Sequence, residues 1–160
     1  MKIKYLFLII CILSSSITYA QNNTFKSLLN KYENEDDVII VSMSKSMLKV
    51  VPDKIINGDV NLKNIVPKIE SLLMIFSSKS SMKEKMSLEF KSLTDKNKNY
   101  EELIRIKDGK SNIIFNVNKQ GDIIKELILL VNEETNFAAI QISGNFTIED
   151  IQKITNNNTQ

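Results

Sequence analysis

Over residues 100–143 the apolar side chains recur with a period of two, and short polar turns interrupt them. A period of two sends alternate side chains to opposite faces of a strand, so this stretch must be built as sheet. It divides into strands over 101–107, 112–117, 122–131 and 136–143. Asp108-Gly109 predicts a tight two-residue hairpin with positive φ at both central positions. Gln120-Gly121 and residues 132–135 predict the next two turns. Connections this short make neighbours antiparallel, so the four strands form a meander. Leu127-Ile128-Leu129-Leu130-Val131 is apolar on both parities, the pattern of a strand covered on both faces and central in its sheet.

The first half of the chain reads as helix and strand in turn. Phe25, Leu28, Leu29 and Tyr32 fall on one face of a helix over 22–33, which the acidic run 33–37 ends. Val38-Ile39-Ile40-Val41 is β-branched throughout and predicts a buried strand. Residues 44–51 predict a helical turn stopped by Pro52, and Asn57-Gly58 a turn. Ile65, Val66, Ile69 and Leu73 suggest a helix with Pro67 in its first turn, followed by a second strand over 72–76. The clearest helix spans 81–93, with Met82, Met86, Phe90 and Leu93 on its core face and Ser81 with Glu84 as a capping box. A last helix begins at Thr147, its N-cap, with Asp150 three residues on. Phe146 and Ile151 are placed to staple across that start, and Ile148, Ile151 and Ile154 form its buried face. These elements predict an α+β domain: the C-terminal four-stranded meander, extended by the two earlier strands, with helices packed on it.

The chain opens as an export signal. Met1-Lys2-Ile3-Lys4 is a basic start, residues 5–13 are apolar, and Thr18-Tyr19-Ala20 is a small-x-small exit. The apolar run is too short for a stable span, which takes roughly 20 residues. Cleavage after Ala20 leaves residues 21–160 as a single α+β domain, exported to the periplasm or the exterior, with no membrane span. Removing Lys2 and Lys4 lowers the basic count from 21 to 19, equal to the 19 acidic residues. A neutral chain has no field to attract nucleic acid. The only cysteine, Cys11, lies within the leader behind bulky Leu8-Ile9-Ile10, not behind a lipobox. An exported domain without disulfides suits a bacterial envelope.

The chain contains no histidine, and after cleavage no cysteine. A Ser-His-Asp triad, a Cys-His pair and a His- or Cys-ligated zinc site are therefore excluded. Ser42-Met43-Ser44-Lys45 matches S-x-x-K, and Ser143-Gly144-Asn145 and Lys107-Asp108-Gly109 mimic its two companion motifs. Their order is reversed, however, and K-x-G falls in a hairpin turn. Glu101 and Glu102 are adjacent on a strand and point to opposite faces, so they cannot act as a pair. Glu133-Glu134 sits in a turn. The acidic run 33–37 lacks the central glycine and distal glutamate of a calcium loop. No catalytic, cofactor-binding or metal-ligating set emerges, and no cofactor is implied.

Arg105 is the only arginine in a lysine-rich chain. Its planar fork holds a carboxylate bidentately, where lysine offers a point charge. A ligand carboxylate or phosphate is one use for it. The expected use is a partly buried ion pair with a glutamate of a neighbouring element, Glu70, Glu102 or Glu126 being the available ones.

Several strings in chain order resemble the family of exported Bacteroidetes proteins known as domain of unknown function 4252. They are Val41-Ser42-Met43-Ser44-Lys45 with Met47-Leu48, Ile69-Glu70-Ser71-Leu72, and the run 100–107 around Arg105. The longest are 125–131 and 140–151, the second ending in Thr147-Ile148-Glu149-Asp150-Ile151. The resemblance covers nearly all of the mature chain and implies a fold, since the family has no assigned activity. The expected function is that of a non-enzymatic exported protein binding an unknown protein or small ligand in the cell envelope. The alternatives are an envelope sensory or regulatory accessory protein, and a small hydrolase using carboxylates or the Ser42–Lys45 pair.

Overall fold

The computed structural model describes residues 24–50 and 65–155. The expected signal peptide, Pro52, the Asn57-Gly58 turn and the tail beyond residue 155 lie outside the described residues. Six strands form one antiparallel sheet: β1 (Ile39–Ser44), β2 (Ile69–Ser77), β3 (Tyr100–Asp108), β4 (Ser111–Gln120), β5 (Ile123–Asn132) and β6 (Phe137–Phe146). Their order across the sheet is β1-β2-β6-β5-β4-β3. The C-terminal meander is thus present, and β1 and β2 extend it beyond β6. Among the described residues four helices pack on the sheet: α1 (Thr24–Asn30), α2 (Lys45–Leu48), α3 (Ser80–Lys96) and α4 (Ile148–Thr155). The fold is α+β. None of the helices among the described residues is long and apolar enough to cross a membrane.

The sheet has two unequal faces. On one, α3 crosses β5 and β6, and α1 lies against α3. Phe90 is the centre of that layer, with ring centroids 5.1 Å from Phe25 and 5.9 Å from Phe137. Phe25, Tyr32, Met86, Ile75 and Ile128 are almost fully buried around it. Burying side chains of this size contributes about 1.5–3 kcal/mol each. On the other face a smaller cluster gathers at one end, where Leu48 of α2, Ile65, Ile69 and Ile151 of α4 meet Val117, Leu127 and Phe146.

Several local expectations change. Residues 38–41 do not form a buried strand: β1 is an edge strand, with Ile40 packed toward the helices and Ile39 57% exposed. No helix runs from Ile65 to Leu73. A 3₁₀ turn at Val66–Lys68 holds Pro67, and the backbone is already extended at Ile69. The apolar spacing fitted a helix, but residues 71–76 lie between β1 and β6 and pair on both sides, and tertiary pairing wins. The Ser81–Glu84 capping box does not form, because α3 starts one residue earlier and Ser81 is already helical. An N-cap must be extended, as Lys79 is. Ser77 Oγ accepts the Lys79 N–H instead, at 3.2 Å.

Both tight hairpins are framed one residue later than the Asp108-Gly109 pairing. Asp108 pairs with Ser111 around Gly109-Lys110, and Gln120 with Ile123 around Gly121-Asp122. Only the glycines have positive φ, 54° and 61°. That is the turn class needing a left-handed residue only at its first central position. The last helix starts as expected: the Asp150 N–H donates to Thr147 Oγ1 at 3.3 Å, and the Thr147 N–H to Asp150 Oδ2 at 2.9 Å. Phe146 and Ile151 join one cluster beneath it. Ile148 is not on its buried face, being 38% exposed.

Candidate functional site

The catalytic pairs singled out in the sequence do not converge. Ser42 and Lys45 are both exposed, one on edge strand β1 and one opening α2, with no hydrogen bond between them among the described residues. Glu101 pairs with Lys119 at 2.8 Å, and Glu102 with Arg105. Glu134 pairs with Lys110. In the acidic run, Asp37 pairs with Lys79, and its carbonyl accepts the Ser77 hydroxyl at 2.8 Å. Among the described residues no three carboxylates group as a metal site would need.

Arg105 does grip a glutamate bidentately, but not as expected. Its partner Glu102 lies on the same strand, and both side chains are about 40% exposed. The pair holds the Glu102 carboxyl below its ordinary range and the guanidinium above its own.

Two features that sequence reasoning missed are better candidates. The first is a polar corner. The β2, β5 and β6 ladders all lose register at one end of the sheet: Glu70 is extra on β2, Lys125 is extra on β5 against β4, and Gly144 and Asn145 of β6 together oppose Lys125 of β5. Bulges re-aim side chains and gather near functional sites. Here they line a cavity of about 460 Å³ with Glu70, Lys125, Glu126, Ser143 and Asn145. Lys125 Nζ donates to Asn145 Oδ1 at 2.6 Å, and Asn145 Nδ2 to Glu70 Oε1 at 3.3 Å. Glu126 accepts the Tyr100 hydroxyl. Burial, and then that carboxylate, push the Tyr100 phenol well above its ordinary range. Gln141, 2% exposed, leaves its Oε1 unpaired among the described residues. Ser143-Gly144-Asn145, noted above as the S-x-N mimic, lies in this corner, but its neighbours Glu70, Lys125 and Glu126 come from β2 and β5, and no motif joins the three strands.

The second is the sheet face away from α1 and α3. Directly opposed residues share a face, so the register defines rows across the sheet. One row runs Ile39, Phe76, Ala138, Val131, Ile113 and Ile106, one residue from each strand. The next runs Val41, Met74, Ile140, Leu129, Phe115 and Ile104. Every member is apolar and none is buried; Ile39, Ile104 and Ile106 are about half exposed. Coverage of β5 on both faces therefore holds at Leu127 and fails at Leu129 and Val131.

Residues 32–154 match the family described as Domain of unknown function (DUF4252). The chain belongs to that family. The match spans all six strands, so the polar corner and the open face both lie within the DUF4252 region, while α1 precedes it. No curated protein and no solved structure matches the chain. A further groove of about 940 Å³ runs between α1 and α3, lined by Leu28, Leu88 and Leu93 with Lys31 and Lys96 at its rim. Lys31 and the Tyr32 hydroxyl both donate to Glu89 beside it, at 2.5 and 2.9 Å. Burial raises the Glu89 carboxyl, but those two donors together hold it below its ordinary range.

Proposed function

We propose that this is an exported, non-enzymatic protein of a bacterial cell envelope, most consistent with a Bacteroidetes source, that acts by binding a protein partner through the open sheet face. One observation carries the binding reading: two uninterrupted apolar rows, one residue from each of six strands, none of whose members is buried by the described residues. Solvated sheet faces ordinarily alternate to polar residues, whereas sheets covered on both sides carry continuous apolar runs. Contiguous apolar patches of several hundred Å² on soluble proteins mark interaction sites. Export rests on the leader over residues 1–20.

Two measurements test this. Cells expressing the full chain should release a mature protein beginning at Gln21, and a cytoplasmic, uncleaved product would overturn the export reading. A photoreactive residue in place of Ile106, on the open face, should give a discrete crosslinked adduct in those cells. The same residue in place of Leu88, 72% exposed on the opposite side, should not. Equal yields at both positions, or none at Ile106, would remove the face as a binding surface.

A further inference from the structure

We infer that the partner on the open sheet face is a second copy of this chain, stacked face to face about a two-fold axis. The inference rests on the partner-binding reading above and names the partner. Shape favours it. A twisted sheet is best matched by another of the same twist, stacked ~10 Å away with its strands ~30° off. A second copy carries that twist necessarily. Charge allows it: neither row contains an ionisable side chain, so a self-complementary contact buries no like charges together.

The area is that of a modest dimer. Six strands ~4.8 Å apart and two rows ~7 Å apart give a footprint of ~400 Å² per copy. Two apposed copies cover ~800 Å² in projection, below the ~1,200 Å² at which standard specific interfaces begin, so the dimer is a weak one. Association should therefore depend on concentration. The β3 edge of the sheet disfavours the other route. β3 carries a bulge at Leu103 and the charges of Glu102, Arg105 and Lys107, devices that block edge-to-edge pairing at that edge.

The test is sedimentation equilibrium on protein purified from cells expressing the full chain, from low-micromolar to near-millimolar concentration. The apparent mass should double across that range. Ile104→Lys, at a position already 48% exposed and so tolerant of the fold, should hold the protein at monomer mass. Leu129→Lys, in the middle of the same row, should do so at every concentration. Leu88→Lys on α3 should leave the dimer intact. A dimer indifferent to Ile104→Lys would place the contact elsewhere and overturn the inference. So would a wild-type monomer at every concentration. If that monomer still gives an Ile106 adduct of a mass other than twice its own, the partner-binding reading survives and only the homodimer is lost. If it gives none, both are lost.

Discussion

Arg105 holds both carboxylate oxygens of Glu102 from three residues away on the same strand, Nε at 2.8 Å from one and Nη2 on the other. In a regular strand, positions three apart face opposite sides. The pair exists because β3 is bulged: Glu102 lies opposite Asn116 and Ile104 opposite Phe115, so Leu103 is an extra residue. The extra residue inverts the alternation and returns Arg105 to the face of Glu102. The bulge and the ion pair are one device on an edge strand.

The exposure of that pair sets its expected weight. Both groups face water at about 40%, so Arg105→Lys should shift stability by less than ~1 kcal/mol. Urea midpoints for wild type and variant check it. A larger loss would mean that the bulge itself depends on the fork.

The start of α4 is more consequential. Thr147→Ala removes one half of a reciprocal cap and should cost about 1 kcal/mol. Asp150→Ala should cost more, about 2 kcal/mol, because the Asp150 carboxylate also accepts Lys68 Nζ at 2.6 and 2.7 Å while only 6% exposed. Thermal unfolding of the two variants should rank them in that order, and the reverse ranking would contradict the double role of Asp150.

Gly144 is a packing glycine rather than a turn glycine. A Cβ there would run into the Lys68 carbonyl oxygen and come within 3.1 Å of Ile69 Cα, both backbone atoms. Gly144→Ala should therefore cost about 1–3 kcal/mol through forced backbone shifts. Gly121→Ala meets nothing within 4 Å, but its φ of 61° costs an L-residue roughly 1–2 kcal/mol. Amide exchange separates the two: Gly144→Ala should loosen the Lys68–Ile69 junction, and Gly121→Ala only its own hairpin.

Alkaline pH should expose the Tyr100 contact. Its phenol is held above the ordinary value, chiefly by burial and then by Glu126. A raised folded pKa favours the folded state below the unfolded pKa of ~10, and that contribution is lost as pH rises toward the folded value. Each such tyrosine removes about 1.4 kcal/mol per pH unit above ~10. Denaturant midpoints should thus fall more steeply for wild type than for Tyr100→Phe between pH 10 and 11. Parallel slopes would mean that Tyr100 titrates freely.

The tertiary structure reversed some local readings and kept others. Residues 65–73 carry the apolar spacing of a helix, and only the flanking β1 and β6 drew Ile69 to Leu73 into strand, leaving a 3₁₀ turn before them. Arg105 was recognisable as a bidentate residue and Glu102 as one of three partners. Its setting on an exposed edge depended on a bulge that no residue type announces. The polar corner was invisible for the same reason, being made by register losses in three ladders at once.

Local chemistry was enough for the meander, its turn glycines, the Phe90 helix and the Thr147–Asp150 cap, because each depends on residues within a few positions of one another. Strand order and register were decided only in three dimensions, since they arise from pairings between residues up to about 75 apart. From those pairings alone come the two features that matter most for function. They set twelve apolar side chains side by side on one face, and among the described residues α2 and α4 pack only at the far end of that face, by Leu127 and Phe146.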